Sequence, residues 1–171
     1  MKKLLLLFLA IVLTACSGLG QSDFSRNQQK WQDANISHYR FNLFVGCFCI
    51  FTQDMPLVIE VKDGEIVSME YSSGNPLDDS NREYFTKFAT IDRLFSELEA
   101  DLGGEADKVT VTYDATYGFP TDVSIDYITE AADDELYFTV SGFEALPSTG
   151  SDIGSGGSES PSKDPKDFES L

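Results

Sequence analysis

The sequence predicts an α+β fold: an antiparallel sheet of about six strands in two three-stranded meanders, with two helices packed on one face, in the order αβββαβββ. Three observations carry that expectation. Six short segments alternate apolar and polar residues with a period of two, as half-buried strands do. Two segments with helical spacing each precede three of those strands. Residues 23–146 are one domain's length of chain, flanked by segments of very different composition.

The first helix is expected over "FSRNQQKWQDAN", residues 24–35, where Phe24, Gln28, Trp31 and Asn35 share a face and Trp31 is the anchor. "HYRFNLFVGCFCIF" follows as a strand. Tyr39, Phe41, Leu43, Val45, Cys47 and Cys49 lie on its inward face, and His38, Arg40 and Asn42 begin the other. "PLVIEVKDGEIVSMEY" is a hairpin turning at Asp63-Gly64. A two-residue turn pairs Val61 with Ile66 but leaves Ile59 facing Ser68. A three-residue loop with Gly64 left-handed pairs Ile59 with Val67 and Leu57 with Met69, which puts the apolar set on one face and is preferred. "SSGNPLDDSNRE" reads as loop.

"TIDRLFSELEADLGG" is the strongest helix. Thr90 caps it, Ile91, Leu94, Phe95, Leu98 and Leu102 form its buried stripe, and Gly103-Gly104 ends it. Three strands follow, with Val109, Val111 and Tyr113, then Val123, Ile125 and Tyr127, then Leu136, Phe138 and Val140 on their inward faces.

The ends of the chain concern compartment. "MKK" and the twelve-residue apolar stretch Leu4–Ala15 are too short to span a bilayer, which takes about 20, and read as a secretion signal over residues 1–15. Leu13-Thr14-Ala15-Cys16 resembles the lipobox of bacterial lipoproteins. That resemblance implies cleavage before Cys16, a diacylglyceryl group on its thiol and, in most cases, an acyl chain such as palmitate on the new amine. Residues 16–22 would then be a flexible tether. Each buried methylene contributes about 0.8 kcal/mol, so two or three chains hold the protein to the membrane. Ser17 is not the Asp that retains such proteins in the inner membrane of Gram-negative bacteria, so the expected placement, if the cell is Gram-negative, is the outer rather than the inner membrane. Residues 147–171 are rich in Gly, Ser, Pro and Asp and are expected to be disordered.

Charge is lopsided. Without Lys2 and Lys3, the 12 basic residues become 10 against 29 acidic ones, a net charge of −19. Between Glu97 and Glu144, thirteen carboxylates face Lys108 alone. Such a surface repels nucleic acid and anionic head groups; cations or a basic envelope protein suit it better.

No catalytic constellation is legible. The sequence has one histidine, His38, and lacks G-x-S-x-G and both glycine-rich phosphate motifs. Carboxylates are too abundant for any pair to signal a hydrolase. Asp114, Asp122, Asp126, Asp133, Asp134 and Glu135 are weak calcium candidates if they meet at one end of the sheet, although the ordered calcium-loop pattern is missing. No other cofactor is expected.

Cys47 and Cys49 leave three readings open: a disulfide, buried thiols or a metal site. On an unbroken strand their Cβ atoms stand about 6.5–7 Å apart, whereas a disulfide needs about 3.5–4.5 Å. A bond therefore requires a bend in the chain and would be easily reduced, as a redox role would want. Two thiolates are half a zinc site, and no methionine pair supports copper(I).

Taken together, Trp31 before "ISHYRF", Cys47-x-Cys49, Asp63-Gly64, "TIDRLF", "VTYDATYGFPTDVSID" and the acidic "ADDE" resemble a bacterial lipoprotein domain family of unknown function, domain of unknown function 6174, over about residues 30–143. The resemblance implies an exported, often lipidated single domain and supplies no catalytic residues. The expected function is a lipid-anchored envelope protein whose acidic domain is a non-catalytic binding module. The alternative is thiol-redox or metal handling by Cys47 and Cys49.

Overall fold

The period-two segments pair as strands because each offers one apolar row to a common core. In the computed structural model, which describes residues 18–47 and 50–147, the elements run in order as follows. Helix α1 (Gly18–Ala34) leads into β1 (His38–Gly46), β2 (Leu57–Lys62) and β3 (Glu65–Tyr71). Helices α2 (Asp79–Thr86) and α3 (Ile91–Ala100) then precede β4 (Lys108–Tyr113), β5 (Pro120–Asp126) and β6 (Glu135–Ala145). All six strands form one antiparallel sheet in the order β3-β2-β1-β6-β5-β4. The α+β class is thus as expected: two meanders meet along β1 and β6, the first and last strands.

The inward row of β1 (Tyr39, Phe41, Leu43, Val45) is buried, with Leu57, Ile59 and Val61 beside it on β2 and Leu136, Phe138 and Val140 on β6. Phe24 and Trp31 of α1 and Ile91, Leu94, Phe95 and Leu98 of α3 belong to the same core. The opposite face is open and polar, crossed by ion pairs such as Arg40–Glu144 at 2.8 Å.

Four expectations need correction. First, there are three helices among the described residues. The stretch taken as loop contains α2, capped by Asp78, whose side chain accepts from the Asn81 N–H at 2.9 Å; Phe85 on its last turn is fully buried. Second, α1 begins at Gly18, so the helix reaches into the segment expected as a tether.

Third, the hairpin keeps a two-residue turn, with Asp63 and Gly64 at φ of 52° and 81°. Both values are positive, as a type I′ turn requires. The bulge falls inside β3 instead: Val61 pairs with Ile66 and Glu60 with Ser68, which leaves Val67 out of register and turned to solvent. That one unpaired residue restores the alternation, so Ile59 meets Met69 and Leu57 meets Tyr71 on the buried face.

Fourth, β1 stops at Gly46, and Ile50–Gln53 is a single 3₁₀ turn. The strand does not continue through Cys47, and the inward row that was to include it ends at Val45.

Helix α3 starts where its sequence indicates. Thr90 Oγ1 accepts from the Arg93 N–H at 3.1 Å, and the Ile91 N–H donates to Tyr39 Oη at 3.1 Å, so two free donors of the first turn are satisfied. Its last turn widens at Asp101–Glu105 and closes on Gly104 at φ 116°. No helix among the described residues is long and apolar enough to cross a membrane.

Candidate functional site

Helix α1 and the edge strand β4 face one another across an open cleft. Between them lies a cavity of about 480 Å³. Its floor is Leu102, Val109, Val111 and Tyr113, and its rim carries Asp23, Arg26 and Lys30 from α1. The volume is that of an ordinary ligand cleft. Arg26 and Lys30 are one helical turn apart, so both project from the same side of α1. Arg26 pairs with Asp23 at 2.7 Å, both side chains being mostly exposed, and Lys30 Nζ donates to the Ala115 carbonyl. Burial, with Asp23 nearby, pushes the Tyr113 hydroxyl up to about 12, so it stays protonated at the cavity wall.

The turn after β4 closes one end of this cavity. Asp114 Oδ1 accepts from the Thr116 N–H at 2.8 Å and the Tyr117 N–H at 2.5 Å, folding the loop back on itself. Tyr117-Gly118-Phe119-Pro120 then passes beneath α1. Gly118 has φ +81°, and a Cβ there would stand 2.5 Å from the Asn27 carbonyl oxygen. Phe119 is buried against Trp31 and Phe143, with ring centroids 6.2 and 4.6 Å away. Trp31 also meets Tyr39 edge to face at 5.4 Å and donates its indole N–H to Asp92 at 3.1 Å. The aromatic motif therefore fastens α1 to the sheet and fixes the width of the cavity.

The acidic candidates separate. Asp122 and Asp126 stand four residues apart on β5, about 13 Å at strand rise. Asp114 lies at the Asp122 end and holds its own turn, while Asp133, Asp134 and Glu135 lie with Asp126 at the other end. The expected meeting at one end of the sheet does not occur. Among the described residues no group of three or more His, Cys, Asp or Glu side chains is placed to hold a metal ion.

His38 is a surface brace. Its Nε2 lies 2.9 Å from Glu60 Oε1 and its Nδ1 3.0 Å from the Pro147 carbonyl. The Glu60 bond, with the Pro147 carbonyl second, raises its pKa above the ordinary value.

Cys47 is half-buried directly after β1 and packs against the core. Beside it, Gly46 lies under the Tyr137 ring, which a Cβ at Gly46 would meet at 2.0 Å. Cys49 and Cys16 lie outside the described residues, as do the signal segment and residues 148–171.

One buried carboxylate escaped the sequence reading. Asp101, at the end of α3, is 6 % exposed and accepts a hydrogen bond from Tyr127, and its pKa is raised chiefly by burial, then by Glu97. Tyr127 is itself pushed up to about 12, mostly by burial and next by the Asp101 charge. An acid whose folded pKa exceeds its unfolded one penalises the fold once it ionises; the penalty is present above the folded pKa and disappears as pH falls through it. Asp101→Asn keeps an oxygen for Tyr127 and removes the charge. It is expected to raise the melting temperature at pH 7, with the gain shrinking towards pH 4, as followed by circular dichroism.

These features define a class: a single antiparallel sheet backed on one face by helices, with a cleft between its first helix and one edge strand. Residues 23–145 match the model of a family of unknown function, DUF6174, and the chain belongs to that family. No curated protein and no solved structure matches it.

Proposed function

We propose that this is a lipid-anchored envelope protein whose domain is a binding module rather than an enzyme. The anchor is carried by Leu13-Thr14-Ala15-Cys16 behind its short charged and apolar leader. If the cell is Gram-negative, Ser17 favours the outer over the inner membrane. A binding role is supported by the α1–β4 cleft, whose apolar floor and flanking Arg26 and Lys30 suit recognition of a ligand. Cations or a basic protein patch are the partners its strongly acidic remainder favours.

Cys47 and Cys49 are proposed to form a disulfide at the end of β1. The reading is supported by the end of β1 at Gly46, so that the strand geometry that forbids the bond is not continued through Cys47.

Intact-mass measurement of the protein extracted from membranes tests both points. The expected mass is that of residues 16–171 plus a diacylglyceryl group, with or without one further acyl chain on the amine, less two hydrogens, and it rises by two hydrogens on reduction. In Cys16→Ser the acyl mass is absent and the protein leaves the membrane fraction. An unmodified Cys16 in membrane-extracted protein sinks the anchor; two alkylatable thiols without reductant sink the disulfide.

A further inference from the structure

The two edges of the sheet are not finished alike. At β3 the ladder is broken in mid-strand at Val67, which twists and blunts that edge. At β4, five consecutive residues from Lys108 to Thr112 keep regular register with β5, with no proline and no inward-pointing charge. Its outer row of N–H and C=O groups meets no strand among the described residues, and the cleft opens along that same edge with α1 as its far wall. Unprotected edges of this kind are templates for an added strand.

We propose that the α1–β4 cleft takes an extended polypeptide segment of a partner protein, hydrogen-bonded to β4 as a seventh strand, with two carboxylates on its inward row. The backbone of β4 supplies the ladder, and Val109 and Val111 continue as the inward layer. The charge follows from spacing. Inward side chains at i and i+2 of a strand are about 6.5–7 Å apart, and Arg26 and Lys30 at i and i+4 of a helix are about 6 Å apart. Two such carboxylates therefore face the two cations in register, replacing the exposed Asp23 pair and the Ala115 carbonyl. The net charge of the chain, −17 over its full length, repels polyanions at long range and restricts the segment to a few acids. The proposal rests on the binding-module reading and gives it a ligand class.

The test uses a blocked heptapeptide, Val-Thr-Glu-Thr-Glu-Thr-Val, which presents the same inward row in either strand direction, and two controls with Lys or Gln in place of Glu. The Glu peptide is expected to slow amide exchange at alternate residues of Lys108–Tyr113, to bind at least tenfold more tightly than the Lys peptide, and to weaken with salt. Arg26→Gln combined with Lys30→Gln is expected to remove that preference while the melting curve, followed by circular dichroism, confirms the fold. No protection at millimolar peptide, or equal binding of all three peptides, overturns the proposal. Protection elsewhere keeps a binding role and overturns this site. Protection of β4 in the protein alone overturns it too: if lost on truncation after Pro147, the occupant is this chain's own C-terminal segment, and if concentration-dependent, a second copy. The acyl mass at Cys16 is read separately, so failure here leaves the anchor standing.

Discussion

Gly118→Ala is expected to destabilise the domain by about 3 kcal/mol, as measured by urea unfolding. Two costs add. A left-handed backbone costs an L-residue about 1–2 kcal/mol, and Gly118 sits at φ +81°. The new methyl would also stand 2.5 Å from the Asn27 carbonyl oxygen and 3.0 Å from Lys30 Cβ. The first neighbour is helix backbone and cannot swing aside, so α1 must lift or the turn must drop. Gly64→Ala is the control. It has the same φ of +81° and nothing within 4 Å, so it is expected to lose only the conformational part, about 1–2 kcal/mol. Equal losses at the two positions would show that α1 does not rest on this turn.

Trp31→Ala is expected to cost about 3–5 kcal/mol, the usual range for emptying a large aromatic site. Trp31 is 4 % exposed and touches Tyr39, Phe119 and Phe143 edge to face, with centroids at 5.4, 6.2 and 5.9 Å. Its N–H on the Asp92 carboxylate adds a charge-assisted hydrogen bond that binds α1 to the first turn of α3. Trp31→Phe is expected to restore most of the packing and to lose the bond, about 1.5–3 kcal/mol. Because Trp31 is the sole tryptophan, far-ultraviolet circular dichroism is the probe. A loss under 1 kcal/mol for the alanine variant would remove α1 from the cooperative core.

Much of this was legible in the chain because local chemistry and tertiary packing agree. The alternation in "HYRFNLFV" is the buried and exposed alternation of β1, and Thr90 caps α3 as its side chain suggests. Where the two disagree, the sequence misled. Helix α2 offers only Phe85 as a fully buried residue on a polar stretch, so its pattern resembles a loop; the Asp78 cap was the available signal. The hairpin bulge moved from the turn to Val67 because two solutions bury nearly the same residues, and pairing with β1 decides between them. The cleft had no local signature. Its walls come from α1 and β4, and the contact of Lys30 with Ala115 joins residues 85 apart. The acids failed as a site for a related reason: Asp114 and Asp134 belong to successive hairpin loops, which an antiparallel meander places at opposite ends of β5.

The pairing of β1 with β6 also bears on when the chain can fold. Each meander exposes one apolar face and one bare edge until the other arrives, and the join closes a loop of about a hundred residues, the slow kind of contact. The central strand pair cannot form until residues near Ala145 are present, so a nascent chain lacks its sheet centre through most of its synthesis. If the proposed leader carries the chain across a membrane, that delay would be useful: the chain would stay threadable during export, and its own last strand would act as the lock once it is through.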